Sequence, residues 1–132
     1  MKAISVKQPW ANLIAAGRKT IETRTWTTKY RGQLLIVSSH SPRIEPAGYA
    51  LAVAEIVACR VMTGADEAAA CCKVYPNAYA WELADIRAIT PFPVKGRLGL
   101  YEVALPPLYR SAATSARSSA ARGFALRDEA LP

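Results

Sequence analysis

Gly17-Arg18-Lys19-Thr20-Ile21-Glu22-Thr23-Arg24 places two of its three cations around a single carboxylate within eight residues, just after a helix-ending glycine. Upstream, Trp10, Leu13 and Ile14 fall at i, i+3 and i+4, one apolar stripe of a short helix over about Trp10–Ala16, with Gly17 where a left-handed cap belongs. Downstream, Thr20 to Trp26 alternates as a strand does. Ile21 and Thr23 then face one side, and Thr20, Glu22 and Arg24 the other, with Glu22 and Arg24 roughly 7 Å apart. The segment is therefore a helix-to-strand switch that brings ionic side chains onto one face, a pattern suited to a small-molecule or nucleotide site.

Around this switch the pattern is mostly that of short strands. Ala3 to Lys7 reads as a strand, and Gln8-Pro9 supplies the reversal into the helix, with proline early enough that its missing N–H costs little. Gln33 to Ser38 is uniformly apolar enough to be buried on both sides. Ala50 to Met62 reads as one long strand bent near Glu55. Residues 64–73 are acidic at the start and alanine-rich after, the pattern of a short surface helix. Tyr79 to Leu83 and Ile86 to Ile89 read as two strands and Gly99 to Leu105 as a closing one, with Pro91, Pro93 and Gly96 punctuating the approach. Several short strands with two or three short helices fit an α+β fold, a compact and strongly curved β-sheet or barrel, better than a doubly wound parallel sheet.

With 132 residues, 52% of them hydrophobic, the chain can bury one sizeable core and not comfortably two. No apolar run approaches the roughly 18 residues of a membrane span, which places the protein in the cytoplasm. Its three cysteines, Cys59, Cys71 and Cys72, lack metal-ligand spacing and read as reduced thiols. The formal charge of +7 is concentrated, with residues 1–34 carrying seven basic side chains against Glu22 alone. Such a basic quarter attracts polyanions, the electrostatic footprint of nucleic-acid or phosphate binding. From Pro106-Pro107 onward the composition turns to alanine, serine and arginine, so residues 1–106 read as the folded domain and 107–132 as a basic tail.

Four separated pieces, the Gln8-Pro9-Trp10 turn, Gly17-x-Lys19-x-x-Glu22-x-Arg24, Tyr30-Arg31-Gly32, and Tyr79-Ala80-Trp81-Glu82-Leu83 running on to Lys95-Gly96, together resemble an ASCH domain. The resemblance implies a PUA-like β-barrel with a cleft floored by the signature strand, and a superfamily associated with RNA binding. It also implies two enzymatic alternatives, a metal-assisted ribonuclease or an N4-acetylcytidine-type amidohydrolase. In the amidohydrolase branch the signature is similar to Gly-Arg-Lys-Thr-Ile-Thr-Ile-Arg, with the second threonine as nucleophile. That position is Glu22 here, and a carboxylate does not replace a hydroxyl in acyl transfer.

Lys19 and Glu22 are the candidate catalytic pair, Glu22 as general base and Lys19 with Arg24 steadying developing negative charge, although neighbouring cations weaken a carboxylate base. Arg24 offers a planar fork to a phosphate or base edge. Trp10 and Trp26 offer faces for stacking, or pack in the core. Lys7, Ser38 and His40 complete the candidate ligand contacts, the last two at a strand end beside Ser39. Were Glu82 to converge with Glu22, a divalent cation would fit between them. The expected partner is RNA or a nucleotide or nucleoside.

Overall fold

The computed structural model describes residues 1–107 and 109, so the basic tail expected over 107–132 lies almost wholly outside the described residues. Within them the chain runs β1 (Lys2–Val6), α1 (Trp10–Ala15), β2 (Ile21–Arg24), β3 (Gly32–Ser38), β4 (Tyr49–Val61), a 3₁₀ turn (Gly64–Asp66), α2 (Glu67–Ala70), β5 (Tyr79–Pro93) and β6 (Tyr101–Glu102). The strands form one mixed sheet in the order β2-β5-β4-β3-β1-β6. β1 and β3 are parallel neighbours, Ile4 opposite Ile36, and every other pairing is antiparallel. Parallel neighbours require a long crossover. Here it is residues 7–31, which carry α1 and the ionic segment.

The fold is α+β, as expected, with a sheet whose ladder does not close into a barrel: β2 and β6 are its two ends. It nonetheless curls strongly, because Arg24 on end strand β2 donates from Nη2 to the Ser5 carbonyl on β1, 2.7 Å away, next to the opposite end. A side chain bridges the seam where a closed barrel would have backbone pairs.

β3 is the keel. Leu34 and Ile36 point into one cluster with Ile4, Val6, Ile14, Ile56 and Trp81, while Leu35 and Val37 point into a second with Ala3, Phe92 and Tyr101. Both faces are buried, as the unbroken apolar run requires. A third, small cluster of Ile21, Met62, Ala70, Ala78 and Ala80 seats α2 against β2.

The boundaries differ from expectation where backbone irregularity decides them. The two strands expected over 79–89 are one strand, because the interruption at Asp85, φ 50°, is accommodated by register shifts against β4. Pro91 and Pro93 lie inside its last residues instead of beyond its end. The closing strand shrinks to Tyr101–Glu102: β1 begins at Lys2, so an antiparallel partner running past Val103, which still donates to the Met1 carbonyl, outruns it. The helix expected over 64–73 is a 3₁₀ turn plus one α-turn, stopped where Cys71 turns left-handed at φ 56°.

Candidate functional site

The strand reading of the ionic segment places Glu22 and Arg24 on one face, and so they are found. The Glu22 carboxylate receives Arg24 Nε at 2.9 Å and Nη2 at 2.7 Å on one oxygen, and Lys19 Nζ lies 3.6 Å from the other. Lys19 is 1% exposed and Glu22 5%, whereas about a quarter of the Arg24 side chain reaches solvent. Burying an ion pair costs several kcal/mol per charge unless geometry and further hydrogen bonds offset it. The offset is visible: Lys19 Nζ also donates to the Ala70 carbonyl, and Arg24 to that of Ser5.

The C-terminal end of α2 organises this floor. Its carbonyls are unsatisfied within so short a helix, and outside donors reach them: Thr20 N donates to the Ala69 carbonyl at 2.9 Å, Lys19 Nζ to that of Ala70, and Trp10 Nε1 to that of Cys71 at 3.3 Å. One turn thus positions a cation, an indole and the start of the signature strand.

Above the floor opens a cleft of about 880 Å³, within the usual span for ligand sites. It lies along the sheet's seam: β2 supplies Glu22, Thr23 and Arg24, β1 and its end Ser5, Val6 and Lys7, and α1 Trp10. Ser39–Ser41, Cys72 with Tyr75, and Gly96–Gly99 complete the walls. Its lining sets one carboxylate against four permanent cations, Lys7, Lys19, Arg24 and Arg97. Trp10 and Trp26 both reach it while also packing on the core, Trp26 edge-on to Trp81 with ring centroids 4.8 Å apart.

Lys7, Trp10, Lys19, Glu22, Arg24, Trp26 and His40 therefore share one concavity. Ser38 does not reach it. Its side chain is wholly buried and accepts a hydrogen bond from Gln8 Nε2 at 3.0 Å, and Ser39 takes the place on the wall. Gln8 in turn accepts from Asn12 N, capping α1 from outside. His40 stands exposed at the mouth, its ring against the α-carbon of Gly48, where a β-carbon would collide with the imidazole. Gly48 itself has φ 76°.

Glu82 does not converge with Glu22. Glu22 stands opposite Trp81 in the β2–β5 ladder, so its neighbour Glu82 points to the other face, where it receives Arg60 Nε at 2.7 Å. The cation site that convergence would have created is not formed, and among the described residues no group of three or more His, Cys, Asp or Glu is arranged to hold a metal ion. Nor is any described helix long and apolar enough to cross a membrane.

Cys72 and Tyr75, and Arg97 to Gly99 of the Gly96–Gly99 turn, are cleft residues that the sequence reading did not place in the site. Gly96 was marked, as punctuation and as the end of the family-like Lys95-Gly96 piece. Tyr101 on β6 is tied to the floor by its phenol, which shares a 2.7 Å hydrogen bond with Ser5 Oγ, the atom that Gly96 packs against. Burial pushes that phenol above its usual range, opposed first by the Ser5 hydrogen bond.

An open, curled α+β sheet with a basic, aromatic-lined cleft at its seam defines a small domain of the PUA-like kind. The chain matches the ASCH domain over residues 4–93, more than half its length, and belongs to that family, one associated with RNA binding. The crystal structure of ASCH from Zymomonas mobilis superposes with a TM-score of 0.64 at 18% identity, over 86% of this chain and 93% of that one. A serine-to-alanine variant of the Zymomonas mobilis protein gives 0.59 at 17% identity, over 87% and 94%. Human activating signal cointegrator 1 is 47% identical over 36 residues, 27% of this chain and only 6% of that protein's length.

Proposed function

We propose that the cleft binds single-stranded RNA or a modified nucleotide, with Arg24 and Lys7 meeting phosphate and Trp10 or Trp26 meeting a base. The observation that carries this reading is the convergence of Lys19, Glu22 and Arg24 into one buried cluster with residual positive charge on a concave floor. A phosphate suits the surplus cations. A heterocycle suits the indoles and the mixed donors and acceptors around Glu22.

Glu22 acts here as the cluster's keystone and Lys19 as its buried charge. Both carboxylate oxygens are already engaged by cations, which suits holding a ligand's donors better than abstracting a proton. The metal-assisted ribonuclease reading loses its second carboxylate, since Glu82 is turned away and committed to Arg60, and the amidohydrolase reading meets Glu22 where its hydroxyl nucleophile would stand.

Titration of short single-stranded RNA against intrinsic tryptophan fluorescence, at two salt concentrations, tests the proposal. Affinity should fall with salt, and Arg24→Ala should weaken it about tenfold or more at low salt. Binding indifferent to both salt and Arg24→Ala would remove the cleft from consideration.

A further inference from the structure

We infer that the Gly96–Gly99 turn is a second contact element that reads the nucleotide next to the one held on the cleft floor, so that the ligand is an oligonucleotide and not a mononucleotide. The inference rests on the RNA reading of the cleft.

Leu98 is 99% exposed, the most exposed large apolar side chain among the described residues, and it lines the cleft. Single exposed leucines are ordinary on protein surfaces. The anchoring sets this one apart. At Gly96 a β-carbon would stand 3.1 Å from Ser5 Oγ, so the backbone is pressed against β1, and the same Ser5 hydroxyl is held by the Tyr101 phenol at 2.7 Å. Ser5 in turn holds Arg24, and Arg24 holds Glu22. An unbroken chain of short contacts thus fixes the turn relative to the ionic floor, while Gly99, at φ 68°, turns the backbone back toward β6. The result is a leucine presented to water on a turn packed against β1, with an exposed arginine beside it.

An apolar tip and a guanidinium at adjacent positions match the alternation of base and phosphate along a single strand. With one base on the floor against the indoles, Leu98 covers the face of the next, and Arg97 meets the phosphate between them. A mononucleotide occupies only the floor.

The test uses the full chain, the four ribonucleoside monophosphates and a mixed-sequence hexaribonucleotide. Wild type should bind the hexanucleotide more tightly than any monophosphate. Leu98→Ala should weaken hexanucleotide binding about five- to tenfold and leave monophosphate binding unchanged. Arg97→Ala should reduce the slope of log affinity against log salt by about 0.7, the share of one single-strand phosphate. Leu98 touches too little of the fold for its replacement to unfold the chain. Hexanucleotide binding no tighter than monophosphate binding, or Leu98→Ala weakening both probes alike or neither, overturns the inference while the cleft reading stands. Wild type that binds neither probe overturns both.

Discussion

Two ionic clusters flank the β2–β5 pair, and they are built in opposite senses. On the cleft face one carboxylate, Glu22, sits between two cations, and Lys19 and Glu22 are almost wholly buried. On the other face one cation, Arg60, sits between two carboxylates, with Arg60 and Glu82 about two-fifths exposed. The second cluster ties β4, β5 and the 3₁₀ turn together. Arg60 reaches Asp66 through two bonds of 2.8 Å, and Asp66 takes the Thr63 N–H at 2.8 Å in a reciprocal cap. All its members are used up in architecture. The first leaves a positive remainder and an arginine edge facing a cavity. Holding surplus charge beside buried groups is costly, so the composition of the cleft cluster is the one that the proposed ligand would account for.

Removing the keystone from each cluster should separate them, and the cleft side gives the larger effect. Glu22→Ala leaves Lys19 enclosed without a counter-charge and should lower stability by about 3–5 kcal/mol in urea denaturation. A loss under about 1 kcal/mol would mean the two cations find water easily, and the cluster would not be buried in the sense argued. The double variant Lys19→Met with Glu22→Gln is the sharper tool. It removes the buried charges but keeps their volume and an acceptor for Arg24, so stability should stay within about 2 kcal/mol of wild type. RNA affinity should nevertheless fall about tenfold. Retained affinity in that folded variant would reduce the cluster to architecture, like its counterpart.

What made one cluster legible in the sequence and hid the other is separation along the chain. Lys19, Glu22 and Arg24 lie within six residues, and strand alternation alone puts the last two on one face. Alternation also puts Trp81 and Glu82 on opposite faces, but only the β2–β5 register, with Glu22 opposite Trp81, decides which of them shares the cleft face. Arg60, Asp66 and Glu82 come from three elements, and only the β4–β5 register, with Arg60 opposite Ala80, brings them together. The fold class was legible in the succession of short strands with few, short helices, and the double burial of β3 in its unbroken apolar run. Strand ends were not, because they depend on partners: β6 stops where β1 begins, and β5 continues through Asp85 because β4 shifts register to follow it. Ser38 and Ser39 show the limit at single-residue scale. They are chemically equal and adjacent, yet a strand sends one to Gln8 and the next to the cleft.

Asp66→Asn tests the architectural cluster, with the smallest expected effect. Arg60 first, and then the Thr63 N–H, hold the Asp66 carboxyl well below the usual carboxylate range. A group whose folded value is depressed adds stability above its unfolded value, about 3.9, and loses it as pH falls from there toward the folded value. Asparagine cannot titrate, so thermal unfolding should show wild type more stable than Asp66→Asn by a constant margin from pH 7 to 5. That margin should narrow progressively below about pH 4. Because Arg60 is partly exposed, salt should shrink it too. RNA affinity at pH 7 should not change at all. A margin that persists unaltered at pH 3 would assign the stabilisation to the cap's shape and not to its charge. A fall in RNA affinity would show that the two faces of the β2–β5 pair are coupled, and that the division of labour between the clusters is wrong.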